Sequence, residues 1–258
     1  MDIATILGIV GLVGIVPVVS AWAASLLAWR HVARILGFGR TTPLDVVVTT
    51  SGFAQHPSGT SRSYRTNVGE VQAMGSLART LGAHYSHKAL RVHMSVDIRN
   101  RLDNDVVVLG GPLLNDTAAD FIAAFQLRFP TSRIMHDAPA GSLAVSDFKR
   151  EGFDLKREDG IPGADLFLIL LARDLFVEDK TRNILCAGFT TYGTAAAAEL
   201  LFHDLLTRRY WPTAKQLRKS DGAAIVASVR IVNQQCTYMQ VEGIWTFERQ
   251  TKGAVHIP

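Results

Sequence analysis

The chain begins with a long stretch that carries no charged side chain. No Asp, Glu, Lys or Arg occurs from Ile3 to Trp29, and apolar residues dominate this segment. At about 1.5 Å per helical residue it would extend roughly 40 Å, enough to cross a hydrocarbon core of about 30 Å. The pattern predicts one transmembrane helix over residues 1–30, with a kink at Pro17.

Two other interpretations of this segment fit less well. A secretory signal peptide has a basic start and a short apolar core, whereas this chain opens with Asp2 and its apolar run is long. A buried core helix without a polar face is unusual in a domain of this size. The membrane span remains the favoured interpretation.

Basic residues directly follow the predicted span and indicate its orientation. Arg30, Arg34 and Arg40 lie on this side, while the short amino-terminal flank carries only Asp2 and the terminus. The positive-inside rule then predicts a single-pass protein of the plasma (inner) membrane with its C-terminal part in the cytoplasm. The predicted division is a basic juxtamembrane linker over 31–43 and a cytoplasmic α/β domain over 44–258.

The lipid bilayer is therefore the first predicted partner. The small residues Ser20, Ala24 and Ala28 are spaced four apart and would allow two such helices to pair, so a homo-oligomer through the span is an open alternative. The net charge of +4 owes much to the juxtamembrane arginines. Since no basic run is interleaved with aromatic residues, nucleic acid is not predicted as a partner.

Cysteine and histidine patterns argue against a metal site or a disulfide framework. The two cysteines, Cys186 and Cys236, lie far apart in apolar runs, which predicts buried, reduced thiols. The eight histidines show no spacing typical of metal ligands. No metal and no resident cofactor are predicted.

After residue 43, short continuous apolar runs alternate with longer segments in which apolar residues have helical spacing. The short apolar runs predict strands at 44–48, 90–96, 105–109, 164–171 and 183–187. Helices are predicted over 68–81, where Asn67 and Glu70 have capping-box spacing, over about a dozen residues after Asn115, and in an alanine-rich stretch that continues to 206. The polar segment 52–66 is predicted to be a lid or disordered.

Strands that are apolar on both faces and alternate with helices are typical of a parallel sheet covered by helices. In residues 223–232 and 237–247, apolar and polar side chains alternate or nearly alternate, which predicts an antiparallel hairpin. The predicted fold is α/β: a mainly parallel Rossmann-like sheet with flanking helices and a C-terminal antiparallel hairpin, preceded by one transmembrane helix.

Two glycine turns follow predicted strands and precede predicted helices. In open α/β sheets ligands bind beyond the carboxyl ends of the strands, where helix N-termini present backbone N–H groups to anions. Neither turn is a P-loop or a G-x-G-x-x-G motif, so a purely structural role is the alternative. The predicted ligand-binding residues are Ser51, Gly52, Gly110, Gly111, Asn115, Thr190, Thr191, Gly193 and Thr194.

The segments VVVLGGPLLNDTAADF and ILCAGFTTYGTAAAAEL resemble the Rossmann-like superfamily that includes the Lonely Guy phosphoribohydrolases and DprA-type proteins. In that superfamily an early strand-Gly-Gly turn is followed later by a Gly-x-Gly-Thr-x-x-Glu turn. The likeness spans about residues 45–206 and depends on a few glycines and one threonine. It implies that Gly110, Gly111, Gly193 and Thr194 lie near a phosphate or ribose.

The chain departs from that pattern at the acidic residue. Ala197 stands where the enzymes have glutamate, and the first carboxylate is Glu199, which a helix would turn away from the site by about 200°. The favoured function is therefore a membrane-anchored sensor or regulatory module that binds a nucleotide-derived or other phosphorylated small molecule without turnover. The alternatives are a nucleotide- or nucleoside-processing hydrolase that uses Glu70, and a ligand-free membrane scaffold.

Overall fold

The computed structural model describes residues 35–39, 42–55, 62–85, 88–98, 102–153, 157–158, 161–177, 181–204, 217 and 220–248. The predicted transmembrane helix over 1–30 and the start of the predicted linker, 31–34, lie outside the described residues. Within the described residues no helix is both long and apolar enough to cross a membrane.

The described part of the chain is a mixed α/β fold with a central sheet. Its α-helices are α1 (Val68–His84), α2 (Asp116–Arg128) and α3 (Thr191–Phe202). Its strands are β1 (Leu44–Val48), β2 (Gly52–Gln55), β3 (Arg62–Arg65), β4 (Leu90–Met94), β5 (Asp105–Leu109), β6 (Met135–Asp137), β7 (Ser142–Val145), β8 (Phe148–Arg150), β9 (Arg157–Glu158), β10 (Ile161–Pro162), β11 (Ala164–Arg173), β12 (Arg182–Gly188), β13 (Gly222–Val232) and β14 (Gln235–Phe247).

The central sheet has seven strands in the order β14-β13-β11-β12-β5-β1-β4. Strands β4, β1, β5 and β12 run parallel to one another, as the sequence predicts. Strand β11, in contrast, runs antiparallel to both β12 and β13. Only the segment 174–181 connects β11 to β12, and a parallel crossover needs about a dozen residues or more, so these two strands can pair only as a hairpin.

The two faces of this sheet bury separate cores, because successive side chains of a strand point to opposite faces. On β5, Val107 and Leu109 pack toward α1 and α3, whereas Val106 and Val108 pack toward α2. Helices cover both faces, and β5 is fully buried between them. This arrangement explains the continuous apolar runs in the sequence.

The C-terminal hairpin is confirmed and extends the edge of the sheet. Strands β13 and β14 pair antiparallel across a two-residue turn in which Asn233 and Gln234 both have positive φ, 50° and 63°. Such mirror-image turns match the right-handed twist of the flanking strands. Cys186 on β12 is buried as expected, but the burial predicted for Cys236 was wrong, because this residue lies in the exposed first part of β14; both thiols are free.

Three small antiparallel sheets were not predicted from the pattern. Strands β2 and β3 form a hairpin inside the segment expected to be a lid, with residues 56–61 outside the described residues. Strands β9 and β10 form a second pair. Strands β6, β7 and β8, which follow α2 in the chain, form a three-stranded sheet. This sheet places His136 beside the C-terminal ends of β5 and β12.

A buried cluster of charges lies at the amino ends of β5 and β12. Asp105 accepts hydrogen bonds from the backbone N–H groups of Gly39 and Arg182, both at 2.8 Å, and from the Thr42 hydroxyl at 3.1 Å. Lys88 lies 2.7 Å from its carboxylate, and both side chains are 1% exposed. Asp105 at the start of β5 therefore has an ion-pair partner in the interior.

The cluster also attaches the second half of the predicted linker to the domain. Lys88 donates to the carbonyl oxygens of Gly39 and Thr42, and Arg182 donates to that of Ile35 at 3.3 Å. Burial lowers the pKa of Arg182 to about 10, and Arg173 acts in the same direction. The folded domain therefore includes residues from Ile35 onward rather than beginning at residue 44.

A pair of truncations tests this boundary. A chain that lacks residues 1–34 should fold with full stability, whereas removing 1–43 deletes the buried side chains of Ile35, Leu36 and Phe38. At about 1.5–3 kcal/mol per buried side chain, the longer truncation should lose about 5 kcal/mol of unfolding free energy, measured by urea denaturation. Equal stability of the two chains would show that the linker is not part of the core.

Candidate functional site

A cleft lies at the carboxyl ends of β1, β5 and β12, where α1 and α3 begin. Its volume is about 90 Å³. Segments that follow three neighbouring parallel strands meet there, as expected for an open α/β sheet. The lining residues are Thr49, Asn67, Glu70, Gly111, Leu113, Leu114, His136, Ala138, Gly188, Phe189, Thr190, Thr191 and Thr194.

The first glycine turn follows β5 and approaches its neighbours too closely for a side chain. Gly110 has φ of 115°, and a Cβ there would collide with the Thr49 hydroxyl and lie 2.8 Å from Glu70 Oε1. A Cβ on Gly111 would lie 2.8 Å from the carbonyl oxygen of Gly188. The two glycine turns are therefore in contact across the cleft, and both positions of the first turn require glycine for packing.

The second glycine turn is held by a buried carboxylate. Asp165 Oδ2 accepts hydrogen bonds from the N–H groups of Thr190 (3.0 Å) and Gly193 (2.7 Å) and from the Thr190 hydroxyl (2.5 Å). Its Oδ1 accepts from the N–H of Leu166 at 2.7 Å. Burial raises the pKa of Asp165, while the hydrogen bonds from Thr190, Gly193 and Leu166 oppose that rise.

This carboxylate occupies the N-terminus of α3. A helix start carries partial positive charge and unsatisfied N–H groups, which is why an anion was expected to bind at this turn. Asp165 supplies the hydrogen-bond acceptor for these N–H groups from within the protein. A Cβ on Gly193 would lie 2.5 Å from its Oδ2, so Gly193 faces Asp165 and is not among the lining residues.

The N-terminus of α2 is capped in a comparable way. Asn115 is fully buried, and its side chain accepts a hydrogen bond from the N–H of Ala118 at 3.1 Å while donating to the carbonyl oxygen of Leu109 at 3.0 Å. The helix start predicted at Asn115 is confirmed. Asn115 nevertheless serves the fold here, since its hydrogen bonds run to the backbone on either side of the glycine turn.

Glu70 lies in the cleft and joins three segments. Its Oε2 accepts from the backbone N–H of Thr49 (2.9 Å) and from the Thr66 hydroxyl (2.5 Å), and its Oε1 accepts from the Asn67 amide (3.3 Å). Asn67 is the N-cap residue of α1, but its side chain forms no capping hydrogen bond. The predicted reciprocal capping box was therefore wrong, and Glu70 faces the Gly110 turn instead.

His136 was not identified from the sequence, yet its environment in the cleft is unusual. Its ring packs edge-on against Phe189, with ring centroids 5.1 Å apart, and neither ring nitrogen forms a hydrogen bond of regular geometry. Burial lowers the pKa of His136 to about 4, although the carbonyl oxygens of His136 and Ala187 act in the opposite direction. The imidazole is neutral at pH 7, and one of its nitrogens is then a donor and the other an acceptor.

The structure brings some of the predicted ligand-binding residues together and separates others. Four of them line the cleft: Gly111, Thr190, Thr191 and Thr194. The remainder do not: Gly110, Asn115 and Gly193 support the two turns, while Ser51 is exposed and Gly52 pairs with Arg65 in the β2–β3 hairpin. Thr191 also links the helices, because its hydroxyl accepts from the N–H of Gly69 at 2.6 Å.

Glu199 lies outside this cleft, as its position on α3 predicts. The hydroxyl of Ser76 on α1 donates to its carboxylate at 2.5 Å. It lines a separate groove of about 450 Å³ between α1, α3 and the β13–β14 turn. No group of three or more His, Cys, Asp or Glu side chains capable of holding a metal ion occurs within the described ranges.

Comparison with known proteins adds no further assignment. No protein-family model matches the chain, and no curated protein is similar to it at a significant level. The likeness to the Lonely Guy and DprA-type superfamily therefore stays a hypothesis based on the glycine turns. The interpretation of the cleft depends on its own chemistry.

The lowered pKa of His136 predicts a specific pH dependence of stability. Between pH 6.5 and about 4 the imidazole of His136 is protonated in the unfolded chain but not in the folded one. The contribution of this difference to the unfolding free energy is therefore complete above pH 6.5 and is lost as the pH falls to about 4. The shift corresponds to about 3 kcal/mol. Relative to wild type, His136→Phe should gain stability over this range, as measured by urea denaturation at each pH.

Replacing a histidine elsewhere provides the control for that experiment. His203 is exposed at the end of α3, so His203→Phe should leave the pH dependence of the wild type in place. A stability difference between wild type and His136→Phe that stays constant from pH 7 to pH 4 would contradict the burial of a neutral imidazole.

Proposed function

We propose that this protein is a membrane-anchored regulatory module whose cytoplasmic α/β domain binds a nucleotide-derived small molecule in the cleft between the glycine turns. The observation that carries the proposal is the pairing of the two turns with His136. The backbone of Gly111 and that of Gly188 are in contact beside the cleft, and within the described residues the two ring nitrogens of His136 form no hydrogen bond of regular geometry. Unpartnered buried polar atoms are uncommon in folded proteins and need an explanation.

The position of the cleft supports a ligand-binding role. It lies at the carboxyl ends of three neighbouring strands, the usual place of ligands in open α/β sheets. The threonine hydroxyls of the second turn and the carboxylate of Glu70 add polar groups that would orient a ligand. The anchoring in the plasma membrane and the cytoplasmic orientation come from the apolar segment 3–29 and from Arg30, Arg34 and Arg40, and they are part of the same proposal.

A hydrolase is the second candidate, and one observation favours it. An enzyme that cleaves an N-glycosidic bond needs an acid or base beside the ligand, and Glu70 lies in the cleft against Gly110 rather than serving only its own helix. Against this role, both oxygens of Glu70 already accept hydrogen bonds from Thr49, Thr66 and Asn67. A carboxylate so engaged is better suited to hold a ligand than to transfer a proton.

Mass spectrometry of small molecules retained by the full-length protein, purified in detergent, tests the proposal. We expect a nucleotide or nucleoside to be released on denaturation of the wild type, and to be reduced in His136→Phe, since that substitution removes both ring nitrogens. The matched control is Glu199→Gln, which alters a carboxylate on the other side of α3 and should retain the same molecule.

The same preparation separates binding from catalysis. Incubation with nucleosides and nucleotides should give no multiple turnover. Repeated product release by the wild type, abolished in Glu70→Gln, would replace the regulatory module with the hydrolase. Retention of no nucleotide-like molecule, together with no measurable affinity for added ones, would refute both.

A further inference from the structure

The chemistry of the cleft limits which part of a nucleotide-like ligand it accepts. Among the lining residues that the structure describes, none is Lys or Arg. Of the two carboxyl groups in this region, that of Glu70 lines the cleft, and that of Asp165 is hydrogen-bonded to the first turn of α3. His136 is neutral at pH 7 and supplies no positive charge. A phosphate in this position would have no cationic partner in the described lining and would lie beside the carboxylate of Glu70.

Three backbone N–H groups at these helix starts are also engaged. The N–H groups of Thr190 and Gly193 donate to Asp165, and that of Ala118 donates to Asn115. Phosphate binding at a helix N-terminus depends on free N–H groups there. A phosphate at the start of α3 would therefore have to displace a buried carboxylate, and one at the start of α2 a fully buried side chain.

The hydrogen-bonding capacity that remains in the cleft matches hydroxyl groups. Among the described residues, Glu70 Oε1 accepts one hydrogen bond, at 3.3 Å, and a carboxylate oxygen can accept a second. The carbonyl oxygens of His136 and Ala187 act on the neutral ring of His136 and can pair only with its donor nitrogen, so its acceptor nitrogen remains for a ligand hydroxyl. Thr191 accepts from Gly69 through its hydroxyl oxygen, so its proton is available to a ligand. A vicinal pair of hydroxyls, each a donor and an acceptor, fits these groups.

Resting on the function proposed above, we infer that the cleft binds the ligand through its uncharged ribose hydroxyls and leaves any phosphate outside. The size of the cleft agrees with this. A volume of about 90 Å³ is well below the roughly 300–1,000 Å³ of pockets that enclose a drug-sized molecule, so it admits one ring of a larger ligand. Leu113 and Leu114, 63% and 60% exposed at the rim, present apolar surface to a base.

Isothermal titration calorimetry of the full-length protein in detergent tests the inference. The probes are the four common ribonucleosides, their 5′-monophosphates, their 2′,3′-dideoxy counterparts and sodium pyrophosphate. We expect a ribonucleoside and its monophosphate to bind with similar affinity, the dideoxy counterpart to bind at least about tenfold more weakly, and pyrophosphate not to compete. Glu70→Gln should weaken ribonucleoside binding by a similar factor, and the matched Glu199→Gln should not.

Each other outcome has a defined meaning. Equal binding of the dideoxy counterpart, or competition by pyrophosphate, would overturn the inference while the proposed nucleotide-derived ligand stands. Failure of every ribonucleoside and monophosphate to bind would overturn both. Circular dichroism checks the fold of Glu70→Gln, and where that variant does not fold, His136→Phe provides the same comparison, because it removes a second polar group that we assign to the ligand.

Discussion

The hydrogen bonds between Asp165 and the first turn of α3 determine the form of the cleft. The carboxylate receives two backbone N–H groups and one hydroxyl of that turn, so it fixes the path of the chain from β12 into the helix. The pairing of β12 with β5 places Gly188 against Gly111, and with the turn held the threonines at the start of α3 line the cleft. The same carboxylate removes the anion site that a free helix start would offer. Asp165 thus determines both the path of the chain at the cleft and which N–H groups remain there for a ligand.

A second buried aspartate organises the opposite edge of the sheet. Asp105 pairs with Lys88 and accepts a hydrogen bond from the backbone N–H of Gly39. These contacts attach the segment that precedes β1 to the amino end of β5. Breaking a buried ion pair by removing one partner typically costs about 3–5 kcal/mol, because the remaining charge is left unpaired. The segment that leads toward the proposed membrane span is therefore part of the folded domain. The cleft lies at the carboxyl ends of the strands, whereas this segment contacts the amino end of β5.

The sequence predicts most of the elements, because fully buried strands and capped helices leave local patterns. The apolar run of β5 and the cap at Asn115 are examples, and the structure confirms both. The direction of β11 was missed, although the short connection 174–181 already excluded a parallel crossover. The roles of Asp165 and His136 could not be predicted in this way. Each acts through contacts with residues distant in sequence, and His136 lies on a three-residue strand with no periodic signature.

A crystal structure of the protein with adenosine 5′-monophosphate tests the central claim most directly, because that molecule carries both a ribose and a phosphate. The account predicts ribose hydroxyls within hydrogen-bond distance of Glu70 and His136, Asp165 still bound to the N–H groups of Thr190 and Gly193, and the phosphate outside the cleft. A phosphate seated at the start of α3, with Asp165 displaced from those groups, would contradict it.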